Sequence, residues 1–128
     1  MERLNAWVEG LPVAVTVTAA DGTITAMNAR SRETFAADGG AALIGKSVFD
    51  CHPKAARAES EALYRTQRPN HYTIKKRGQK KIIHQLPWFE NGKFGGVVEI
   101  SICPVAASFR YSGSTRPTIS RCFSTMRR

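Results

Sequence analysis

The chain has 128 residues, of which 42% are hydrophobic and 23% charged, with a formal net charge of +9. A chain of this length and composition is typical of one globular domain with its own core. It has no run of about 20 apolar residues, and charged Glu2, Arg3 and Glu9 lie near its start, so the sequence predicts a cytoplasmic protein without membrane span or signal peptide.

Residues 1–10 are expected to form a short lead-in helix. The apolar side chains Leu4, Trp7 and Val8 recur at spacings of three and four residues, which places them on one helix face. Gly10 marks the end of this helix.

Two strands are predicted next, at 12–19 and 23–27. The first is rich in valine and threonine, and its valines alternate with other residues, as in a strand with one buried face. Asp21-Gly22 between them is a strong signal for a tight turn, so the two segments are expected to form a hairpin.

The middle of the chain is predicted to be helical. Asn28 is expected to cap a short helix at 30–37, because its side-chain oxygen can accept hydrogen bonds from the first helical N–H groups. Gly39-Gly40 ends that helix. A second turn is expected at 47–50, and a longer helix at 54–67, with Pro53 as its first residue.

Three further strands are predicted, at 71–76, 80–90 and 94–103. Asn91-Gly92 separates the last two and is again a strong hairpin signal. Two strands, then helices, then three antiparallel strands indicate an α+β domain.

The remaining segment, 104–128, has a different composition. It contains five arginines and no acidic residue, whereas residues 1–103 hold 14 Lys/Arg against 10 Asp/Glu. A basic tail can meet phosphates or anionic lipid, but such runs are more often simply solvated. The sequence therefore predicts a disordered basic tail.

The stretch from Asp21 to Pro53 resembles the PAS sensory domain. It contains the hairpin, the Asn-capped small helix, the connector Leu43-Ile44-Gly45-Lys46 and the helix start Asp50-Cys51-His52-Pro53, in that order. The resemblance covers residues 11–103. It implies a five-stranded antiparallel sheet with helices packed on one face, and a role in bacterial signal transduction.

The resemblance also implies partners. The expected organisation is a lead-in helix at 1–10, a PAS-like domain at 11–103 and a tail at 104–128. In PAS proteins such a lead-in helix often packs against a partner subunit, which implies a homodimer with Leu4, Trp7 and Val8 at the interface. A separate output protein would then carry the activity that the domain regulates. The alternative is that this helix packs on its own domain.

Four residues are candidates for binding a small-molecule ligand: Tyr72, His84, Gln85 and Trp88. Alternation along the strand 80–90 places His84 and Trp88 on one face and Gln85 on the other, with Tyr72 on the neighbouring strand. PAS folds enclose a small cavity, where a polar residue among apolar ones orients a ligand. In the opposing interpretation this set is ordinary core and dimer patch, and the protein is an interaction module without a ligand.

Cys51 and His52 raise the alternative of a haem- or flavin-binding sensor. Some PAS domains hold haem through a histidine on the long helix, but His52 lies at the helix start, where capping is favoured. The residues around Cys51 lack the flavin-contacting motif of light-sensing PAS domains. A thiolate at a helix N-terminus leaves redox sensing open. The sequence names no cofactor.

No pattern in the sequence indicates an enzyme or a metal site. Paired carboxylates, a phosphate loop and zinc-type Cys/His spacings are all missing. A basic hairpin tip is present at 75–81, but no stacking aromatics or recognition helix accompany it, so nucleic-acid binding is not expected.

Overall fold

The computed structural model describes residues 5–51, 54–76 and 78–103. The chain begins with a one-turn helix and two strands, passes through short helical turns and one long helix, and ends in three strands. The helices and strands are α1 (Ala6–Glu9), β1 (Ala14–Thr18), β2 (Ile24–Met27), α2 (Ala29–Thr34), α3 (Lys54–Thr66), β3 (Asn70–Lys76), β4 (Gln79–Glu90) and β5 (Lys93–Ile102). Three 3₁₀ turns lie between α2 and α3, at Ala36–Asp38, Gly40–Leu43 and Val48–Cys51.

The five strands form one antiparallel sheet in the order β2-β1-β5-β4-β3. Its centre is the pairing of β5 with β1, which joins the first and last parts of the domain. Asn91 and Gly92 connect β4 to β5 with φ of 51° and 75°, the left-handed conformation that a tight hairpin turn needs. The predicted α+β fold, an antiparallel five-stranded sheet with helices on one face, is confirmed.

The sheet has an inner face, toward α2 and α3, and an outer face. Thr16 Oγ1 on β1 lies 2.6 Å from Ser31 Oγ on α2, so Thr16 and its cross-strand neighbours Glu99 and Gln85 face inward. Residues one position along each strand face outward. The outward set includes Val15, Val17, His84, Leu86, Val98 and Ile100.

A small apolar core lies against β2. Ile24, Met27 and Leu43 are buried together, and the half-buried side chains of Phe35, Ile44 and Val48 pack against them. Burying each such side chain stabilises the fold by roughly 1.5–3 kcal/mol. This cluster holds the 3₁₀ turns against the β2 edge of the sheet.

Asn28 connects three elements and caps α2 as predicted. Its side chain is fully buried, and its Oδ1 accepts hydrogen bonds from the N–H groups of Ser31 and Val15, both at 2.9 Å. Its Nδ2 donates to the carbonyl oxygens of Val8 and Val13, also at 2.9 Å. One amide therefore fixes α1, β1 and α2 relative to one another.

The helices differ from the prediction in length. The helix expected at 30–37 ends at Thr34, and a 3₁₀ turn continues to Asp38 before Gly39 breaks it at φ 126°. In the lead-in segment, one turn is helical, Ala6–Glu9. The long helix ends at Thr66, because Gln67 adopts a left-handed φ of 54°. The predicted helix start at Pro53 and tail at 104–128 lie outside the described residues.

Candidate functional site

Three hydrogen-bonded polar side chains cross the inner face of β3, β4 and β5. Asn70 Nδ2 donates to Gln85 Oε1 at 3.0 Å, and Gln85 Nε2 donates to Glu99 Oε2 at 2.9 Å. Gln85 is only 8% exposed, and the other two are half-buried. We call Asn70, Gln85 and Glu99 the polar row. Burying a polar group costs free energy unless it is hydrogen-bonded, and here each side chain of the row is hydrogen-bonded to its neighbour.

The polar row extends toward α2 through the strand register. Glu99 is paired with Thr16 on β1, and the Thr16 hydroxyl meets that of fully buried Ser31. Side chains of paired residues lie on the same face of a sheet. Polar groups therefore follow one line across the inner face, from the edge strand β3 to the helix α2.

Tyr72 lies next to the polar row, on the same face of β3. Burial raises the pKa of Tyr72 to about 12, with a further contribution from the negative charges of Glu99 and Glu59. Its phenol is therefore neutral at physiological pH. A neutral phenol beside a carboxylate can donate a hydrogen bond to a ligand's acceptor atom.

An aromatic cluster fastens α3 to the sheet. The Tyr64 hydroxyl is hydrogen-bonded to the Thr18 hydroxyl, and the Tyr64 ring meets Phe49 and Phe94 edge-on, with centroids 5.0 Å and 6.1 Å away. Burial raises the pKa of Tyr64, although its hydrogen bond to Thr18 opposes that shift. This cluster closes the space between helix and sheet at the end of α3.

A cavity of about 360 Å³ opens between α2 and the inner face. Its volume falls within the range of small-molecule sites. Charged and polar groups from both sides line it: Arg30, Glu33 and Asp38 from α2 and the turn after it, and Lys81 and Ser101 from the sheet. Ser101 is two residues from Glu99 on the same strand face, so the cavity lies on the side of the sheet that carries the polar row, although Asn70, Gln85 and Glu99 do not line it.

The structure separates the four residues predicted to bind ligand. Tyr72 and Gln85 share the inner face, on neighbouring strands. His84 lies on the outer face, where it meets His71. Trp88 uses its indole N–H to bind the carbonyl oxygen of Thr18 at 3.0 Å, and its ring covers Gly95.

The residues predicted for a dimer interface or a redox or haem site are described only in part. Trp7 is 67% exposed and Val8 is half-buried, while Leu4 lies outside the described residues. His52 and the side chain of Cys51 also lie outside them. Both predictions therefore stay predictions.

Sequence reasoning missed Asn70 and Glu99. Asn70 lies just before the strand predicted at 71–76, and Glu99 lies within the strand predicted at 94–103, with no ligand-binding role predicted for either. Alternation alone gives two faces without saying which one meets the helices. The available signal was the combination of Gln85 and Glu99 with the polar positions of β1, once the strands are placed in register.

Within the described ranges, no group of three or more His, Cys, Asp or Glu side chains is arranged to hold a metal ion. None of the helices there is long and apolar enough to cross a membrane.

Comparison with known families gives one match. A family model described as "PAS fold" matches residues 8–102, well over half of the chain. A search of curated protein sequences gives no match.

Similar solved structures come from sensor proteins. The PAS domain of histidine kinase ThkA has a TM-score of 0.59 at 18% identity and covers 70% of this chain and 96% of its own. The PAS domain of BvgS from Bordetella pertussis has a TM-score of 0.60 at 20% identity, with 76% and 80% covered. The Aer2 receptor from Vibrio cholerae, described as a dual PAS-heme oxygen sensor, has a TM-score of 0.58 at 17% identity, with 76% and 98% covered. At these identities the likeness is one of fold.

Proposed function

This chain belongs to the PAS fold family, and we propose that it is a signal-sensing module that binds a small polar ligand against the inner face of its sheet. The family expected from the Asp21–Pro53 stretch is thereby confirmed. The fold is one found in bacterial sensor proteins. Fold alone names no ligand, so the proposal depends on the geometry of the site.

The polar row is the observation that carries the proposal. An interaction module with a filled core needs apolar side chains between its sheet and helices. Here Gln85 is buried between Asn70 and Glu99. A cavity lined by charged groups lies further along the same face of the sheet, beginning at Ser101 on β5. Such an arrangement suits a site that exchanges hydrogen bonds with a guest molecule.

The chemistry of the row indicates the kind of ligand. Glu99 offers carboxylate oxygens as acceptors, Tyr72 a neutral hydroxyl as donor, and Gln85 an amide that can do both. Arg30 and Lys81 add positive charge at the cavity wall. We infer a small molecule that carries both donors and acceptors, such as an amino acid, a short organic acid or a nucleobase.

Signal transmission would follow from differential binding. A ligand held between the polar row and α2 contacts the sheet and the helical layer together, so it would favour one packing of these two layers over another. A ligand shifts such an equilibrium only by its difference in affinity for the two states. The altered surface would then act on a second copy of the chain or on a separate output protein. The proposal assigns no catalytic activity and keeps the predicted cytoplasmic location.

The experiment measures ligand retention and ligand-induced stabilisation. Native mass spectrometry of the purified protein, followed by thermal melts with a panel of amino acids, organic acids and nucleobases, should identify a bound compound. We expect Gln85→Leu to weaken its binding at least 10-fold, because the replacement removes the central amide of the row. Thr73→Val, on the outer face of β3, is the matched control and should leave binding unchanged.

A clear negative result is available. If the wild-type protein retains no compound and no compound raises its melting temperature, the protein is an interaction module without a ligand and the proposed sensor function is wrong. If visible absorbance of the purified protein shows a haem or flavin band, the cofactor-binding alternative with Cys51 or His52 takes its place.

A further inference from the structure

A pair of histidines on the outer face plays no part in the ligand site. His71 on β3 and His84 on β4 are direct cross-strand partners. Their Nδ1 atoms are 2.7 Å apart, with ring centroids at 4.9 Å and ring planes at 67°. We call these two residues the histidine pair. On the single chain, His71 is exposed and His84 is half-buried, so solvent reaches the pair.

The contact defines the chemistry of the pair. Two ring nitrogens at this distance share one hydrogen: one Nδ1–H donates and the other Nδ1 accepts through its lone pair. When the donor ring changes tautomer, so that its hydrogen moves from Nδ1 to Nε2 and both rings carry their hydrogen on Nε2, two Nδ1 lone pairs converge on one point. A cation is the natural occupant of that point.

The distances suit a transition-metal ion. Zinc-type bonds to imidazole nitrogen measure about 2.0–2.1 Å, which places two adjacent ligand nitrogens roughly 3.0–3.3 Å apart. The observed 2.7 Å between the Nδ1 atoms therefore has to open by only a few tenths of an ångström. Small side-chain rotations achieve this, because His71 is exposed on an edge strand.

We propose that the histidine pair chelates a divalent transition-metal ion of the Ni²⁺, Cu²⁺ or Zn²⁺ class, with water in the remaining coordination positions. Imidazole suits these ions, whereas Mg²⁺ and Ca²⁺ need oxygen ligands. No third Asp, Glu, Cys or His side chain joins the two among the described residues. The site is therefore open and exchangeable. A bound ion would fasten β3 to β4, the only strand with which β3 pairs in the described sheet.

This inference is independent of the proposed ligand site. His71 and His84 lie on the outer face, whereas Asn70, Gln85 and the cavity lie on the inner face. A failure of metal binding leaves the small-molecule proposal intact, and the reverse also holds.

The test is titration of the full chain, without a polyhistidine tag, with Ni²⁺ by calorimetry. We expect one Ni²⁺ per chain and a rise in melting temperature, since an ion that binds the folded state stabilises it. His71→Ala and His84→Ala should each weaken binding at least 10-fold. His52→Ala removes the third histidine of the sequence and is the matched control, which should bind as the wild type does. Mg²⁺ should give no heat and no shift.

Other results overturn the proposal. They are an absence of Ni²⁺ binding to the wild type, full binding in the His71→Ala/His84→Ala double variant, and loss of binding in His52→Ala or Cys51→Ser. Circular dichroism confirms the fold of each variant, and His71→Ala decides the matter if the half-buried His84 proves necessary for folding. With Cu²⁺, electron paramagnetic resonance should show coupling to two nitrogens in the wild type and to one in His71→Ala.

Discussion

At Asn28, one buried amide completes four hydrogen bonds, and no other residue type of that size carries two acceptor sites and two donors at once. Asn28→Ala would leave the N–H groups of Val15 and Ser31 and the carbonyl oxygens of Val8 and Val13 without these partners. Each buried group left unpaired costs about 1–3 kcal/mol, and some regain water. We expect the free energy of unfolding to fall by about 3 kcal/mol in urea denaturation.

The matched control is Asn5→Ala. Asn5 also stands at a helix N-cap, but it is exposed and its side chain makes no capping hydrogen bond. Its replacement should change the free energy of unfolding by less than about 0.5 kcal/mol. Equal losses of stability in the two variants would mean that the four hydrogen bonds of Asn28 are not the cause of its effect.

Tyr72 provides a second prediction at the residue scale, which concerns alkaline pH. Its pKa is raised to about 12 in the folded protein, against about 10 in an unfolded chain. The folded state therefore holds its proton more tightly. This stabilisation is complete below pH 10 and is lost as pH rises toward 12, because the unfolded chain is the first to ionise.

The measurement is urea denaturation across that window, in the wild type and in Tyr72→Phe. We expect the wild type to lose more stability than the variant as pH rises, by well under about 1.4 kcal/mol per pH unit, because Tyr72 is 38% exposed and solvent screens the effect. In a pH titration of tyrosinate absorbance, the folded variant should show one fewer phenol that ionises at raised pH. If the free energy of unfolding changed with pH in the same way in both proteins, the raised pKa of Tyr72 would be contradicted.

The sequence predicted the helix-capping role of Asn28, because capping depends on neighbours three residues away. It did not predict the bonds to Val8 and Val13, since these carbonyl groups approach Asn28 only when α1 and β1 fold back. The inward position of Gln85 has the same explanation. Its alternation with His84 is local, whereas the choice of face is made by the helices.

Among the elements, the neighbouring strands β5 and β1 approach each other most closely at Gly96, at a distance that only glycine permits. Gly96 has φ of 144°, and a Cβ placed there would lie 1.9 Å from the carbonyl oxygen of Thr18. Gly96→Ala must push the two strands apart or force the backbone into another conformation. We expect a loss of about 3 kcal/mol in urea denaturation.

Gly45→Ala is the comparison that isolates this clash. Gly45 also has a positive φ, 92°, but no atom lies within 4 Å of the position that its Cβ would take. Only the backbone cost of about 1–2 kcal/mol remains there. Should both alanine variants lose the same stability, the contact with Thr18 carries no cost of its own.

Element types were more predictable than element faces and ends. Turn residues such as Asp21-Gly22 and Asn91-Gly92 identify the hairpins because they depend on local backbone geometry. The end of α2 at Thr34 differs from the prediction, since Ala36–Asp38 are compatible with an α-helix, and the packing of Phe35 against the cluster that contains Leu43 is a tertiary contact without a local signal. Register between distant strands, which creates the polar row, has no local signal.

For the whole molecule, the outer face predicts a homodimer. Val17, Val98 and Ile100 are half-buried on the single chain, and Trp7 is 67% exposed. A glutamate at this apolar surface would place a charge where a partner excludes water, at high cost. We therefore expect Ile100→Glu to weaken self-association at least 10-fold in sedimentation equilibrium.

Ile74→Glu serves as the control for added charge. Ile74 is 37% exposed, on the inner face of the edge strand β3, and the same substitution there should leave the dimer intact. Circular dichroism checks the fold of both variants, and Trp7→Ala tests the lead-in helix separately. A wild type that sediments as a monomer at all concentrations would refute this interface.

The alternation of β3 and β4 has a consequence for how the two sides of the sheet communicate. Asn70 and Gln85 bond on one side, and the adjacent His71 and His84 meet on the other, so a single peptide step separates the two contacts on each strand. Sliding β3 by one residue would turn Asn70 and His71 to the opposite faces of the sheet and so break both contacts. Both contacts therefore depend on the register of β3 against β4. A molecule or ion that stabilises this register on one face of the sheet also stabilises the contact on the other face.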